Sequence, residues 1–362
     1  MALSVLIAGG GTGGHLYPGI AVARALLARF PDAQVTFVGT AAGIESRVVP
    51  REGFTLDVIR SAGLKGKSLP SLLRGLSLLP ASARDAWSVL SRRRPSVVIG
   101  VGGYSSGPVV GLAALRRIPT LLMEQNAVPG LTNRLLASLV STAAVTYEES
   151  LAVFGGKAFV AGNPVRPEFF REEAYGHHSS PPGAARVLVF GGSQGAHAIN
   201  MAMVEAAPRL AASPSAVAIT HQTGERDLEM VRDGYRRAGL EARVEPFLFT
   251  MDREMKAADL VVCRSGATTL AELTASARPS ILIPFPGATD DHQRKNAEAF
   301  VAAGAAVLIV EAELTEEKLL ETLVSLLSDD ARREDIGKNA RALAHPDAVR
   351  QIGQIVGELA NR

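Results

Sequence analysis

The chain has 362 residues, of which 47% are hydrophobic and 20% charged, and this composition excludes a disordered or fibrous protein. Its formal net charge of +2 gives no reason to expect nucleic acid as a partner. The single cysteine, Cys263, excludes an intramolecular disulfide and a cysteine metal cluster, which favours a reducing cytoplasm. No apolar run reaches the roughly 18 residues of a membrane span, and we interpret the N-terminal "LSVLIA" as a strand rather than a signal peptide.

Short apolar runs alternate with helical patterns along the chain, which is typical of βαβ units and parallel sheets. The first half contains strand candidates at "SVLIA", "QVTFVG", "TLDVI", "SVVIGV", "PTLLME" and "TAAVTY". Residues 162–185 are rich in Pro, Gly and polar residues and are interpreted as a linker. The pattern then restarts with "ARVLVF", "AVAITH", "RVEPF", "DLVVC", "SILIPF" and "AAVLIV". The sequence therefore predicts two doubly wound α/β domains, with ligands bound at the carboxyl ends of the strands, in the cleft between the halves.

The first strand candidate runs into a glycine-rich turn, "GGGTGGHLYP", for which two interpretations stay open. Gly9, Gly11 and Gly14 match the G-x-G-x-x-G pattern of dinucleotide-binding loops. That interpretation also requires an acidic residue at the end of the second strand, but "QVTFVG" ends in glycine and Glu45 follows too late. His15 indicates different chemistry, because an imidazole just beyond a glycine turn can accept a proton near neutral pH. The alternative is a histidine that binds a backbone carbonyl at a helix start.

Two further segments carry candidate ligand-binding groups. The turn "FGGSQGAHAIN" at 190–200 presents backbone N–H groups beside a helix start, an arrangement that suits a diphosphate. Later, "VCRSGATTLAEL" combines Arg264, a small-residue turn and a helix that carries Glu272. Arg264 could balance phosphate charge, and Glu272 could accept two ribose hydroxyls. The alternative is that this segment binds no ligand: its turn is only a helix cap, and its carboxylate is only a solvated surface group.

Seven motifs occur in order over nearly the full length: "GGTGGHLYP", "GVGGYSSGP", "MEQNAVPGLTNR", "GNPVR", "FGGSQGAHAIN", "VCRSGATTLAEL" and "DDHQRKNA". Together they closely resemble the MurG family of UDP-N-acetylglucosamine:N-acetylmuramyl-(pentapeptide) pyrophosphoryl-undecaprenol N-acetylglucosaminyltransferases. The resemblance implies a GT-B fold, with an acceptor domain at 1–162, a UDP-sugar domain at 163–341 and a last helix at about 342–362 that packs on the first domain. It also implies conversion of lipid I to lipid II in peptidoglycan synthesis, and with it roles in cell wall biogenesis, cell shape and cell division.

The resemblance also implies a donor site, residue by residue. The residues expected at the diphosphate are Ser193, Gln194 and Gly195, with Thr12, Gly13 and Gly14 facing them from the other domain. Phe247 and Leu248 are expected to read the uracil with backbone groups, and Glu272 to bind the ribose. Gln293, with His292 beside it, is expected to bind the sugar hydroxyls. The other positions that the family implies here are Asn126, Arg166, Ala267, Thr268, Thr269, Leu270 and Ala271.

The implied reaction is a single inverting displacement, because in the family an α-linked donor gives a β-linked product. The attacking C4 hydroxyl of the N-acetylmuramyl unit needs a general base, for which His15 is the first candidate and Glu124 the second. The helix start at Ser193 and the guanidinium of Arg264 are expected to stabilise the leaving diphosphate. No Asp-x-Asp triplet occurs in the chain, so no metal and no other cofactor is expected.

A lipid acceptor requires a membrane-facing surface, for which the leucine-rich segment 64–87 is the candidate. The residues expected at the membrane are Leu69, Leu72, Leu73, Leu76 and Leu79, with Lys65 and Lys67 beside them. Leucines at this spacing are also typical of an amphipathic core helix, but the basic neighbours and the implied lipid substrate favour an anionic leaflet. We therefore expect a peripheral protein on the cytoplasmic side of the cell inner membrane. Its expected partners are UDP-N-acetylglucosamine, lipid I and other cell-wall synthesis proteins.

Three other functions stay open at this level. A nucleotide-sugar epimerase of the same architecture would use UDP-N-acetylglucosamine without a lipid, and the leucine-rich basic segment argues against it. A NAD-dependent oxidoreductase lacks its ribose-binding acid. A sugar-nucleotide-binding or membrane scaffold protein without turnover would not need His15, Glu272 and Gln293 together.

Overall fold

The computed structural model describes residues 3–61, 77–171, 183–213, 216–288 and 291–361. The chain divides into two compact units, one formed by Met1–Arg166 with His345–Arg362 and the other by Pro167–Ala344. The chain leaves the first unit after residue 166 and returns to it at residue 345. The sequence predicted these two boundaries at 162 and at about 342. Part of the proposed linker, residues 172–182, lies outside the described part of the chain.

The first unit is built on a parallel sheet whose order, counted over the described residues, is β3-β2-β1-β4-β5-β6-β7. Its strands are β1 (Ser4–Gly9), β2 (Gln34–Gly39), β3 (Thr55–Val58), β4 (Val97–Gly102), β5 (Thr120–Glu124), β6 (Thr142–Val145) and β7 (Ala158–Val160). The first six occupy the apolar runs that predicted them, whereas β7 was not predicted because three half-buried residues show no periodicity. The strand order reverses between β1 and β4, and ligands of doubly wound sheets bind at the carboxyl ends of such a pair.

Helices cover this sheet, and its central strands are therefore apolar along their whole length. The helices are α1 (Gly13–Arg29), α2 (Glu45–Arg51), α3 (Leu79–Arg93), α4 (Ser106–Leu115), α5 (Leu131–Leu136), α6 (Leu151–Phe154) and, last in the chain, α14 (Ala348–Ala360). Ile7 in β1 and Ile99 in β4 are fully buried, as expected where helices cover both faces of a parallel sheet. In α14, Ile352, Val356 and Leu359 form one buried face, and this helix packs against α1.

The second unit repeats the same architecture with a parallel sheet of order β10-β9-β8-β11-β12-β13 among its described residues. Its strands are β8 (Ala185–Phe190), β9 (Val217–Gln222), β10 (Ala242–Glu245), β11 (Leu260–Cys263), β12 (Ser280–Leu282) and β13 (Val307–Leu308). Its helices are α7 (His197–Ala211), α8 (Leu228–Ala238), α9 (Met251–Ala257), α10 (Ala267–Ser276), α11 (His292–Ala302), α12 (Glu316–Leu327) and α13 (Asp330–Ala342). The strand order reverses between β8 and β11, which places both candidate ligand-binding turns of this half at one edge of the sheet.

The structure also bears on the single cysteine and on the predicted membrane segment. Cys263 is fully buried in β11, and burial raises the pKa of its thiol, as suits a small core residue. Within the described ranges, no helix combines the length and apolar character needed to cross a membrane. Leu79 is described and is exposed at the start of α3. The other predicted membrane residues lie outside the described ranges: Lys65, Lys67, Leu69, Leu72, Leu73 and Leu76.

Candidate active site

Two glycine-rich turns interlock at the carboxyl ends of β1 and β4. Gly9 and Gly10 have φ angles of +146° and +145°, which side-chain-bearing residues rarely adopt. A Cβ on Gly9 would lie 2.4 Å from the carbonyl oxygen of Gly102, and one on Gly103 would lie 2.5 Å from that of Gly10. The glycines therefore allow the backbones of the two turns to touch, which is a packing reason for the motif that does not involve a dinucleotide.

His15 lies in the first turn of α1, half-buried against the second of these turns. A Cβ on Gly102 would lie 2.7 Å from Nδ1 of His15. The same Nδ1 lies 3.3 Å from Oε1 of Gln125, and Nε2 of Gln125 donates to the carbonyl oxygen of Val101 at 3.0 Å. Because the amide nitrogen of Gln125 already acts as a donor, this network assigns the imidazole proton to Nδ1, which donates to Oε1. Nε2 of the neutral ring is then its basic nitrogen.

Gln125 is a site residue that the sequence reasoning missed. It is buried directly after β5, next to Glu124 in "MEQN", and that motif was its only signal. Its partner His15 is 110 positions away, so no local pattern pairs the two residues.

Glu124, the second candidate for the base, is held by four hydrogen bonds from its own turn. Its Oε1 accepts hydrogen bonds from the backbone and side-chain nitrogens of Asn126, at 3.0 and 3.2 Å. Its Oε2 accepts from the backbone nitrogen of Gly130 at 3.0 Å and from Nδ2 of Asn133 at 2.9 Å. The side chain is buried, and four donors commit it to the turn after β5. In the structure Glu124 supports the segment that carries Gln125 and Asn126, and its role as the second candidate for the base stays a prediction.

The remaining predicted residues of the first unit lie on or beside α1. Thr12 is the N-terminal cap residue of α1, and Gly13 and Gly14 begin the helix, with Thr12 and Gly14 exposed. The guanidinium of Arg166 lies over the ring of Tyr17 on the same helix, 5.0 Å from its centroid. The structure thus brings Arg166 to α1, and its charge can contribute to anion binding near the helix N-terminus.

In the second unit, the turn after β8 interlocks with the turn after β9. A Cβ on Gly195 would lie 1.7 Å from the carbonyl oxygen of Thr223, and one on Gly224 would lie 2.1 Å from that of Gln194. Helix α7 begins only at His197. Ser193 and Gln194 therefore lie in the loop before the helix, and the expectation that Ser193 starts the helix is wrong.

A buried polar network fixes the turn that faces this loop. Nδ2 of Asn200 donates to the carbonyl oxygen of Thr223 at 3.0 Å and to Oδ2 of Asp227 at 2.9 Å. Its Oδ1 is therefore the acceptor that faces Nε2 of His221 at 3.0 Å, and Nδ1 of His221 accepts from the hydroxyl of Tyr235 at 2.8 Å. His221 is fully buried, and burial lowers its pKa to about 3. This network was not predicted, although Asn200 ends the motif "FGGSQGAHAIN".

Gln222 connects the same loop to the residues expected to read the base. Its Nε2 donates to the carbonyl oxygen of Gly192 at 2.7 Å, and its Oε1 accepts from the backbone nitrogen of Leu248 at 2.7 Å. The N–H of Leu248 is therefore already engaged, so the backbone contact that the sequence predicts with a base would have to use its carbonyl oxygen. The rings of Phe247 and Phe249 pack with their centroids 4.8 Å apart beside it.

Arg264, for which a phosphate contact is predicted, makes contacts with its own unit in the structure. Its Nη1 donates to the carbonyl oxygens of Ile283 and Pro284, both at 3.1 Å, and Nη2 forms an ion pair with Glu311. The guanidinium is buried and its charge is balanced within the unit. Arg264 therefore holds the segment after β12 against the turn after β11.

The starts of two helices that carry predicted site residues meet at the ends of β11 and β12. The hydroxyl of Ser265 donates to the carbonyl oxygen of Gln293 at 2.8 Å, and Oε1 of Gln293 accepts from the backbone nitrogen of Phe285 at 3.0 Å. These bonds join the start of α11, which includes His292 and Gln293, to the start of α10. Glu272 is buried in the second turn of α10. The other predicted residues of that helix are Ala267, Thr268, Thr269, Leu270 and Ala271.

The described residues contain no group of three or more His, Cys, Asp or Glu side chains arranged to hold a metal ion.

Two doubly wound parallel sheets, each with a glycine-rich turn at its switch point, form the GT-B fold of glycosyltransferases such as MurG. The glycosyltransferase family 28 N-terminal domain model matches residues 5–145, and the C-terminal domain model of that family matches residues 186–352. An Anaeromyxobacter dehalogenans (strain 2CP-C) protein named UDP-N-acetylglucosamine--N-acetylmuramyl-(pentapeptide) pyrophosphoryl-undecaprenol N-acetylglucosamine transferase is 49% identical over 361 residues, covering 99% of this chain and 94% of its own. The crystal structure of Acinetobacter baumannii MurG superimposes with a TM-score of 0.73 at 27% identity, covering 98% of this chain and 99% of that one. The chain belongs to the MurG family.

The fold alone does not separate this family from the epimerases. A UDP-N-acetylglucosamine 2-epimerase structure from Neisseria meningitidis superimposes with a TM-score of 0.67 at 13% identity, covering 98% of this chain and 100% of that one. Function must therefore be argued from the family and from the residues at the turns.

Proposed function

We propose that the chain is an inverting glycosyltransferase that moves N-acetylglucosamine from UDP-N-acetylglucosamine to the C4 hydroxyl of the N-acetylmuramyl unit of lipid I, which gives lipid II. The observation that carries this proposal is the 49% identity, over 99% of the chain, to a transferase named for that reaction. Both family 28 domain models match as well, so the resemblance covers both units.

We assign donor binding mainly to the second unit. The loop of Ser193, Gln194 and Gly195 offers backbone N–H groups to the diphosphate at the carboxyl end of β8. Glu272 accepts hydrogen bonds from the ribose hydroxyls, because a carboxylate is an acceptor at both oxygens. Oε1 of Gln293 is held by the backbone of Phe285, which orients its Nε2 as a donor to the sugar hydroxyls.

The first unit supplies the base. As the C4 oxygen of the acceptor attacks the anomeric carbon, Nε2 of His15 takes its proton, and UDP leaves with the bonding electron pair from the opposite face. The imidazole becomes a cation, whose Nδ1 proton is stabilised by Oε1 of Gln125. A positioned base of this kind contributes a factor of roughly 10²–10⁴ to the rate.

We also propose that the first unit docks on the anionic cytoplasmic leaflet through helices α3, α4 and α5. These helices pack side by side and expose Trp87, Leu115 and Leu135, at 54%, 71% and 70% of their surface. The guanidinium of Arg116 lies 4.7 Å from the centroid of the Trp87 ring. Arg84, Arg117 and Arg134 are exposed in or next to the same helices, and Arg92 pairs with Asp57. Exposed tryptophan and leucine among cations suit the headgroup region of an anionic membrane.

The proposed reaction is tested by incubating the protein with UDP-N-acetylglucosamine labelled in the sugar, with and without a lipid I analogue. We expect the label to move into the lipid fraction only when the acceptor is present. Label that stays water-soluble as UDP-N-acetylmannosamine would identify an epimerase and overturn the proposal. The expected outcome requires no added metal ion, so the assay is run with EDTA in parallel.

A further inference from the structure

Glu45 is a buried acid beneath the first glycine-rich turn, and no step of the proposed reaction uses it. It is the first residue of α2, and only 1% of its surface is exposed. Its Oε2 accepts from the backbone nitrogen of Gly11 at 2.8 Å. Its Oε1 accepts from the backbone nitrogen and the hydroxyl of Thr40, at 2.8 and 2.9 Å. Both oxygens are acceptors, which is the pattern that an ionised carboxylate satisfies.

The chain makes room for this carboxylate with three glycines. A Cβ on Gly10, Gly39 or Gly43 would lie 2.6, 2.4 or 2.1 Å from the nearest atom of the Glu45 side chain. Real Cβ atoms essentially never make contacts under 3.0 Å, so a side chain at any of these three positions would have to displace the Glu45 carboxylate. A buried acid is costly unless hydrogen bonds compensate its lost hydration, and here three donors do so.

From this arrangement we infer that Glu45 acts as an internal anion of the first glycine-rich turn and positions His15, an inference that rests on the proposed role of His15 as the base. The N–H groups of a turn after the first strand of such a sheet attract anions, and nucleotide diphosphates use them in many proteins. In this chain the N–H of Gly11 donates to the protein's own carboxylate. The turn is thereby fixed without a ligand, and a second anion at that N–H is repelled.

Two short series of contacts link the first glycine-rich turn to His15. Gly11 is followed by Thr12, whose carbonyl oxygen accepts from the backbone nitrogen of His15 at 3.3 Å. The backbone nitrogen of Gly10 donates to the carbonyl oxygen of Gly102 at 3.4 Å, and Gly102 lies against the ring of His15. A shift of residues 10 and 11 therefore moves the imidazole. Displacements of about 1 Å at a reacting group can cost a factor of 10² in rate.

The test compares Glu45→Gln with Glu52→Gln. Glutamine keeps the size of Glu45 but has only one acceptor oxygen, so its N–H₂ must face the backbone N–H of either Gly11 or Thr40, and neither N–H can accept it. Glu52 pairs with Arg24 at the other end of α2 and is the matched control. We expect Glu45→Gln to lower kcat by about 10- to 100-fold and to change the Kd for UDP by less than about twofold. The control variant keeps both values. Normal kcat in Glu45→Gln would overturn the inference.

A double-mutant cycle with His15→Ala separates positioning from general support of the fold. If Glu45 acts through His15, adding Glu45→Gln to His15→Ala lowers kcat by less than about threefold further, because the group being positioned is already absent. Full multiplication of the two losses would overturn this inference while leaving the base assignment intact. Near-normal kcat in His15→Ala alone would instead overturn the base assignment.

A milder variant covers the case in which Glu45→Gln fails to fold. Thr40→Val removes one of the three donors, keeps the side-chain shape and leaves the bond from Gly11 in place. We expect a loss in kcat of a few-fold that disappears in the His15→Ala background, with an unchanged Kd for UDP. A folded Thr40→Val protein with unchanged kcat would contradict the inference.

Discussion

At the scale of single residues, the chemistry of the first unit depends on which nitrogen of His15 carries the proton. Gln125 donates from Nε2 to Val101, so it presents an acceptor to Nδ1 of His15 and leaves Nε2 as the base. The same logic applies to His221, whose tautomer follows from the donors of Asn200. Amide side chains thus orient both histidines, one beside a glycine turn and one in a core.

Replacing His15 removes the proposed base and little else. We expect His15→Ala to lower kcat by roughly 10²- to 10⁴-fold while the Kd for UDP changes little, because the lost interaction belongs to the transition state. The measurements are kcat, calorimetric Kd and melting temperature on one preparation. A parallel loss of rate, affinity and melting temperature would indicate a structural histidine and contradict the assignment.

Replacing Gln125 tests how His15 is oriented. Glu at this position puts a negative charge beside Nδ1, which favours the imidazolium and raises the pKa of His15 relative to the unaltered protein. Because only the neutral ring is a base, the acid limb of the kcat–pH profile should move to higher pH in Gln125→Glu. The kcat–pH profile of Gln125→Met is the control, because methionine adds no charge. For this variant we expect a lower kcat without a shift of the acid limb. An unmoved limb in Gln125→Glu would contradict contact between the two residues.

At the scale of elements, the second unit depends on polar contacts that cross from β9 to the helices α7 and α8. Asn200 lies in α7, His221 in β9 and Tyr235 in α8, and together they hold the turn that interlocks with the loop at 191–195. The turn after β9 therefore depends on two helices that lie outside the candidate site.

This network makes stability depend on pH in a defined window. The pKa of His221 is lowered to about 3 in the folded state, against about 6.5 in an unfolded chain. The unfolded chain binds a proton first, so stability is full above about pH 6.5 and falls as the pH drops toward 3, by at most about 1.4 kcal/mol per pH unit.

We expect His221→Gln to be less stable at pH 7 but to lose less stability than the unaltered protein between pH 7 and pH 5. Denaturant unfolding at several pH values measures both slopes. Gln keeps polar atoms in the cavity, which limits the packing loss. Identical slopes in the two proteins would show that His221 takes up its proton in the folded state.

The proposed membrane surface is also a property of elements, because α3, α4 and α5 each contribute to it. We expect the double variant Trp87→Ala and Leu135→Ser to reduce sedimentation with vesicles rich in phosphatidylglycerol by at least about fivefold, since apolar burial and attraction to anionic lipid act together. Val324→Ser in α12 changes an exposed apolar residue of the second unit and serves as the control. Equal vesicle binding by the double variant and the control would exclude this surface.

At the scale of the whole molecule, the sequence predicted the fold class and most of the strands, because buried parallel strands are apolar runs with glycine turns after them. It missed β7, which is too short to show a period. It also missed Gln125 and Glu45, whose partners His15 and Gly11 are 110 and 34 positions away. Contacts of that range follow from the folded sheet and leave no local pattern.

Arg264 and Glu124 show what a motif by itself leaves undecided. Each is a charged residue in a family motif, and each was expected to act on a ligand. The structure shows that Arg264 is balanced by Glu311 and that Glu124 accepts four hydrogen bonds from the chain. A motif identifies residues near a site, but burial and partners decide whether they act on the substrate or support the turns that do.

The central claim is that this chain transfers N-acetylglucosamine with inversion, and the anomeric configuration of the product tests it most directly. The disaccharide released from the lipid product of UDP-N-acetylglucosamine and a lipid I analogue is examined by the NMR coupling of its new anomeric proton. A single displacement by a hydroxyl that His15 deprotonates predicts the β linkage at C4. An α linkage, or no disaccharide in the lipid fraction, would contradict the account.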